Sequence, residues 1–331
     1  MKLKDMGEAR LVAQMRELLN KQDKTILGIG DDSAVVDFAG KKLVLTSDMI
    51  QDKTHIYKGM SYYQAGRKVV VSNYSDLASM GARPRGFLFS LGISPNEELN
   101  CFKEVFRGVD SVCSDYGTEV LGGDLNESPR LILSGFAFGD CEYEVMKRHG
   151  ATPGQAIVVT GSLGNAAAGW RILEKSLDLA VLPNDVRESI GHKFVRACLE
   201  PQALVKEGVA LAESGLVTSC TDITDGLLVS LKYMRNNYGF RVEEPLVPVE
   251  DEMGILCDNF KLDRDKLVYM IGEDFQLLFT TDEENIPELE KKTGRKLYKI
   301  GQVIDEPLVE IRRKDGKLLK VNPQGYDHFR Q

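Results

Sequence analysis

The chain is 331 residues long, above the size at which one core usually suffices, so two domains are the default reading. Hydrophobic residues make up 43% and charged ones 28%, which excludes a disordered chain and fits packed cores. A formal net charge of -8 argues against nucleic acid or an anionic membrane as the main partner, because both need a cationic footprint.

In chain order, Leu11, Met15, Leu18 and Leu19 recur at helical spacing and predict an amphipathic first helix with its apolar stripe in the core. No continuous apolar run marks the N-terminus as a signal peptide, and none approaches the ~20 residues of a spanning helix. LVLTSD at 43–48 predicts a strand that delivers Thr46, Ser47 and Asp48 at its end. Residues 61–80 carry Tyr62, Ala65, Val69, Asn73, Leu77 and Met80 at three- and four-residue steps, which predicts a helix with Asn73 and Asp76 on one face.

GFLFSLGI at 86–93 reads as a buried strand, and Ser94-Pro95-Asn96-Glu97 as a capping box opening a helix that stops at Gly117. A strand at 119–122 then runs into Gly122-Gly123-Asp124, and RLILSGFAFG forms the next. Composition turns polar, with Gly and Pro, around 146–155, which sets a boundary between domains 1–145 and 146–331. The second half reads as strand AIVVT, a Gly-rich turn, helices to about 214, strand LVTSCTDIT, a helix from 226, and YKIGQVI before a hairpin through Lys314-Asp315-Gly316. Strands alternating with helices predict an α/β or α+β pair of domains.

The six cysteines (Cys101, Cys113, Cys141, Cys198, Cys220, Cys257) form no CxxC and no dense framework, and read as mostly buried thiols of a cytoplasmic protein. Gly161-Ser162-Leu163-Gly164 follows a strand but lacks the spacing of a dinucleotide fingerprint, and reads as tight strand–helix packing. P-loop, protein-kinase and GxSxG motifs are missing.

What remains are six short acidic motifs: GIGDDS at 28–33, TSD at 46–48, NYSD at 73–76, GGD at 122–124, DITD at 222–225 and GED at 272–274. Each alone has an ordinary explanation as a turn or a helix cap. Together they suit carboxylates gathered to hold divalent cations against phosphates, because Mg²⁺ takes oxygen ligands alongside substrate phosphates. The pair Asp222 and Asp225 is the strongest single case, because both cannot cap one helix in the same way. The role of Asp32, beside Asp31, stays open.

GIGDD, TSDM with His55 seven residues after its Asp, NYSDLASMGARP, LGGD, RHGATPG, DITDGL, GEDFQLLFT and a terminal GYDHF occur in an order that closely resembles the thiamine-monophosphate kinase family. That family belongs to the superfamily of aminoimidazole-ribonucleotide synthetase and selenophosphate synthetase, and the resemblance runs from about residue 8 to 329. It implies an N-terminal α/β domain whose strands form an intersubunit barrel in a homodimer, and a C-terminal α/β sandwich. It also implies ATP-dependent phosphorylation of thiamine monophosphate to thiamine diphosphate, with several Mg²⁺ ions and no protein nucleophile.

Carried over by motif, the resemblance implies metal positions at Asp31, Thr46, Ser47, Asp48, Asp76, Asp124, Asp222 and Asp225. It implies nucleotide contacts at Gly123, Asp124, Arg148 and Thr224, and substrate contacts at His55, Glu273 and Tyr326, with Asp274 the rival to Glu273. Leu125 stands where the family has a hydroxyl residue, and Gln276 where it has a carboxylate. An acceptor phosphate is already ionised at neutral pH, which favours metal-ligand over proton-transfer roles for the aspartates. The alternatives are an aminoimidazole-ribonucleotide synthetase-like enzyme, a metal-dependent phosphatase, or a silent nucleotide binder.

Overall fold

The computed structural model describes residue 5, residues 8–19 and residues 25–321. The N-terminal half contains α1 (Glu8–Leu18), β1 (Thr25–Leu27), β2 (Ala34–Phe38), β3 (Lys41–Thr46), β4 (Met49–Gln51), α2 (Tyr62–Ser79), β5 (Arg83–Ile93), α3 (Leu99–Asp115), β6 (Val120–Glu127) and β7 (Ile132–Cys141). The C-terminal half contains β8 (Ala156–Val159), α4 (Asn165–Lys175), α5 (Asn184–Ile190), α6 (Arg196–Leu199), α7 (Val205–Ser214), β9 (Ser219–Asp222), α8 (Leu227–Met234), β10 (Gly239–Glu243), α9 (Glu252–Phe260), β11 (Leu277–Thr281), α10 (Ile286–Thr293), β12 (Tyr298–Ile304), β13 (Val309–Arg312) and β14 (Leu318–Val321). Each half builds one seven-stranded sheet, ordered β1-β2-β3-β7-β5-β6 with β4 beside β7, and β14-β13-β10-β12-β8-β11-β9. Both sheets mix parallel and antiparallel pairs, as β5 with β6 and β5 with β7 illustrate.

Helix α2 joins the halves. The capping box that starts it is formed by Ser61, whose hydroxyl accepts from the Gln64 backbone while the Gln64 side chain returns to the Ser61 N–H. Its apolar residues Ala65, Val69, Val70, Leu77 and Ala78 are fully buried in one core that extends from the first sheet to Leu204, Leu211 and Phe279 of the second half. α2 and α3 touch backbone to backbone: a Cβ on Gly66 would lie 2.1 Å from the Val105 carbonyl, and one on Gly108 would lie 2.0 Å from that of Tyr63. Only glycine permits that approach.

Several local expectations are corrected. Met15 and Leu18 of α1, and Leu19 just past it, are exposed rather than in the core, because the hydrophobic clusters among the described residues are assembled without α1. No capping box forms at 94–97: α3 starts after Glu98 without a side-chain cap, the Ser94 hydroxyl accepts from the Asn96 N–H in a turn, and Glu97 accepts from the Tyr62 hydroxyl. Gly122-Gly123-Asp124 does not end a strand, since β6 runs through it in parallel register with β5, pairing Gly123 with Phe89 and Asp124 with Ser90. All six cysteines are free thiols, five of them buried. No helix among the described residues is long and apolar enough to cross a membrane.

Candidate active site

The buried face of α2 carries a column of polar groups, Lys68, Ser72, Asn73, Ser75 and Ser79, with Asp76 among them. A buried polar group costs free energy unless it is hydrogen-bonded, and every one of the five has a partner. Ser72 Oγ donates to the Lys68 carbonyl and Asn73 Nδ2 to that of Val69, at 3.1 and 2.8 Å. Asn73 Oδ1 in turn accepts the Asp48 N–H at 3.0 Å, which fixes the loop beyond β3. The Ser75 hydroxyl donates to Asp222 at the end of β9, and Ser79 Oγ donates to Asp32 Oδ2 at 2.7 Å.

Three carboxylates meet beside this column. Oxygens of Asp32, Asp76 and Asp222 all lie within 4.8 Å of one another. They come from the loop after β1, the last turns of α2 and the end of β9. Asp32 is the most tightly held: its Oδ1 accepts from Arg148 Nε at 2.8 Å, from Arg148 Nη2, and from Thr221 Oγ1 at 2.9 Å. Asp76 Oδ2 accepts from Thr46 Oγ1 at 2.5 Å. Arg148 lies with its guanidinium 5.3 Å from the centroid of the Tyr233 ring.

Like charges at such spacing oppose ionisation. Burial first, then the fields of Asp48, Asp222 and Asp32, hold the Asp76 carboxyl well above its usual range. Burial and Asp32 push Asp222 up to about 8, against the opposing pull of the Ser75 hydroxyl and Arg148. Asp31 is raised by burial and by Asp32, and lowered by the N–H groups of Asp32 and Arg148. For Arg148, burial opposes its charge, but the field and hydrogen bonds of Asp32 keep its affinity for the proton raised.

The structure thus gathers some expected residues and separates others. Asp76 and Asp222 meet, Thr46 bonds Asp76, and Asp48 lies close enough for its field to act on both. The third member is Asp32 rather than Asp31, whose two oxygens each accept the Arg148 N–H at 3.2 Å and whose Oδ1 also accepts the Asp32 N–H. Ser47 spends its hydroxyl proton on the Gly135 carbonyl at 2.9 Å. Gly123 and Asp124 lie exposed on β6, Asp124 accepting from Asn126 Nδ2 at 2.6 Å, outside the group of three. Asp225 is half-buried ahead of α8, next to Gly226, whose φ of 106° and closeness to the Met270 backbone leave no room for a side chain. The Thr224 carbonyl accepts the Glu273 N–H at 2.8 Å, so the DITD and GED motifs are laced together.

Glu273 and Asp274, adjacent in sequence, have different surroundings. Glu273 Oε2 accepts from the Tyr57 hydroxyl and from Lys68 Nζ, and Lys68 Nζ also donates to the His55 carbonyl. Asp274 turns to α4, accepting the N–H groups of Gly164 and Ala166 at 2.8 and 3.3 Å, and burial pushes it up to about 7. The Gly-rich turn before α4 is therefore capped by a carboxylate of the same chain, as tight packing requires. Gln276 accepts from Thr160 Oγ1 at 3.0 Å and donates to the Asp274 carbonyl at 3.2 Å. Tyr326 lies outside the described residues. Sequence reasoning missed Lys68, Tyr57, Ser75, Ser79 and Thr221; a lysine among the alanine and valines of a buried helix face was the one available signal.

Two sheets meeting around clustered acids define a class. Residues 30–141 match the family described as AIR synthase related protein, N-terminal domain, and 152–314 its C-terminal domain, so the chain belongs to the AIR synthase related family. A thiamine-monophosphate kinase of Methanocaldococcus jannaschii is 32% identical over 91% of this chain and 94% of its own length, and one from Aquifex aeolicus is 28% identical over 99% and 100%. A solved structure of AaThiL complexed with AMPPCP and TMP superposes with a TM-score of 0.84 at 26% identity, covering 99% of both chains. Within the AIR synthase related family, the chain belongs to the thiamine-monophosphate kinases.

Proposed function

We propose that this chain phosphorylates thiamine monophosphate with ATP, giving thiamine diphosphate by direct in-line transfer without a phosphoenzyme. The observation that carries the reading is the convergence of half-buried Asp32 and Asp76 with buried Asp222, their oxygens within 4.8 Å of one another. The related structure that holds AMPPCP, an ATP analogue, together with TMP supports the same pair of ligands here.

The donor set fits Mg²⁺, because it offers only hard oxygen ligands and stores like charge that a cation would relieve. The buried Ser33 hydroxyl, one residue past Asp32 and without a partner in the structure, fits a site built around a further group. Asp32, Asp76 and Asp222, with Asp48, whose field reaches Asp76 and Asp222, and with Asp225 three residues past Asp222, would hold the ions. Bound Mg²⁺ supplies charge neutralisation and alignment to the phosphate oxygens of two polyanions.

The chain's own groups do the rest. Ser79, Thr221 and Arg148 hold Asp32 in one orientation, and the Arg148 guanidinium presents a fixed cation beside the cluster. The acceptor phosphate arrives ionised, so none of the aspartates needs to remove a proton. Gly123, Asp124, Arg148 and Thr224 are the proposed nucleotide contacts, and His55, Glu273 and Tyr326 the proposed substrate contacts.

The working unit is proposed to be a cytoplasmic homodimer of two-domain chains, divided at 145/146, whose N-terminal sheets join in a barrel. β6 supports this: it is the edge of its sheet, exposed from Leu121 to Glu127, and Leu88 of the neighbouring β5 is exposed beside it. An edge strand of that kind pairs readily with a second copy, which would also cover Asp124 and Leu125.

Incubation with ATP, Mg²⁺ and thiamine monophosphate, followed by separation of products, tests the reading. Thiamine diphosphate is the expected product. Free phosphate without it would mean hydrolysis, and neither product would mean a silent binder.

A further inference from the structure

Lys68 lies on α2 with its side chain wholly enclosed at 0% exposure. A buried ammonium persists only where it is paired and hydrogen-bonded. Nζ donates to Glu273 Oε2 at 2.6 Å and to the His55 carbonyl at 2.7 Å, and it stands 4.1 Å from the centroid of the Tyr57 ring. With three donors and these three neighbours, the ammonium has nothing left to offer a substrate.

The groups it joins come from opposite halves. His55 and Tyr57 belong to the loop between β4 and α2, whereas Glu273 belongs to the loop entering β11. Tyr57 donates its hydroxyl to the same Glu273 oxygen, and its ring centroid is 6.2 Å from that of Trp170 on α4. Glu273 and Phe275 have φ of 67° and 50°, a left-handed conformation that side chains with a Cβ keep only where their surroundings impose it. The Glu273 and Phe275 N–H groups donate to the carbonyls of Thr224 and Ile223 at 2.8 and 3.0 Å, so this loop leans on the strip that carries Asp222 and Asp225.

We infer that Lys68 is a positioning residue for the thiamine monophosphate site: its ammonium clasps Glu273 of the C-terminal half to the His55–Tyr57 loop of the N-terminal half. The inference rests on the kinase reading above. Lys68 touches no reacting atom, so its loss should loosen substrate binding while leaving the acidic cluster able to take Mg²⁺ and nucleotide.

Steady-state kinetics of Lys68→Met test this, with KM for each substrate measured separately. The expected result is a KM for thiamine monophosphate raised about tenfold or more, with that for ATP within about twofold. Mg²⁺-dependent thermal stabilisation should persist. In Lys68→Ala, added ethylammonium should lower the raised KM, and the same concentration of sodium chloride should not. Lys68→Arg keeps the charge while displacing it, and stands in if the other variants do not fold; it too should raise only the KM for thiamine monophosphate. An unchanged KM in a folded variant overturns the inference, as does a rise in both KM values in step with lost stability, which marks a purely structural pair. Inactivity of the unaltered chain would remove the kinase reading and this inference together.

Discussion

Replacing Asp222 by Asn should stabilise the metal-free chain and abolish its activity. In the folded chain the carboxyl is pushed up to about 8, whereas an unfolded aspartate titrates near about 3.9. At pH 7 the unfolded chain has therefore passed its midpoint about a thousandfold, a gain on the order of 4 kcal/mol that the folded chain forgoes. The sign follows: a raised folded value leaves stability intact below about pH 4 and erodes it as pH climbs to about 8. Asn is neutral in both states, and its Oδ1 can still accept from Ser75, so the variant escapes the penalty.

Urea unfolding of both proteins in chelator, from pH 4 to pH 8, should show equal or lower stability of Asp222→Asn at pH 4 and higher stability at pH 7. Adding Mg²⁺ should favour the unaltered protein, since a ligand at 100 times its Kd contributes about 2.7 kcal/mol. The reasoning is refuted if the variant is no more stable than the parent at pH 7 in chelator, or if both respond alike to Mg²⁺.

Asp274→Asn should flatten a second slope, because burial pushes Asp274 up to about 7 and stability should erode as pH rises from about 4 to 7; urea midpoints across that range read it. Gln276→Glu should cost about 1–3 kcal/mol in urea unfolding, since it loses the donor to the Asp274 carbonyl and sets two acceptors face to face. Gly66→Ala should cost about 1–3 kcal/mol or more, because its Cβ would fall 2.1 Å from the Val105 carbonyl and force α2 off α3. Activity should fall with it, since α2 carries Asp76 and Ser75, and kinetics on the folded fraction measure that loss.

Much of this architecture was legible in the sequence because its signals are local. The three- and four-residue apolar steps of α2 gave a helix, and with it the shared face of Asn73 and Asp76. The approach of DITD to a helix start likewise placed Asp222 and Asp225 at the end of β9 and ahead of α8. Choosing between Asp31 and Asp32 was not a local matter. It is decided by Arg148, Ser79 and Thr221, which converge on Asp32 from three distant segments. Glu273 and Asp274 were separable only through Lys68 and through the N-terminus of α4. The exposure of Met15 and Leu18 on α1 escaped for the same reason: periodicity tells which side of a helix is apolar and is silent on what lies against it.

The polar column on α2 also bears on how the chain can be divided. Lys68 and Ser75 find their partners at Glu273 and Asp222, both beyond residue 200. A ribosome that has released only the first half has made a helix whose ammonium and hydroxyl still await those carboxylates. The halves should therefore mature together, and separately expressed fragments should complete these two pairs only when mixed.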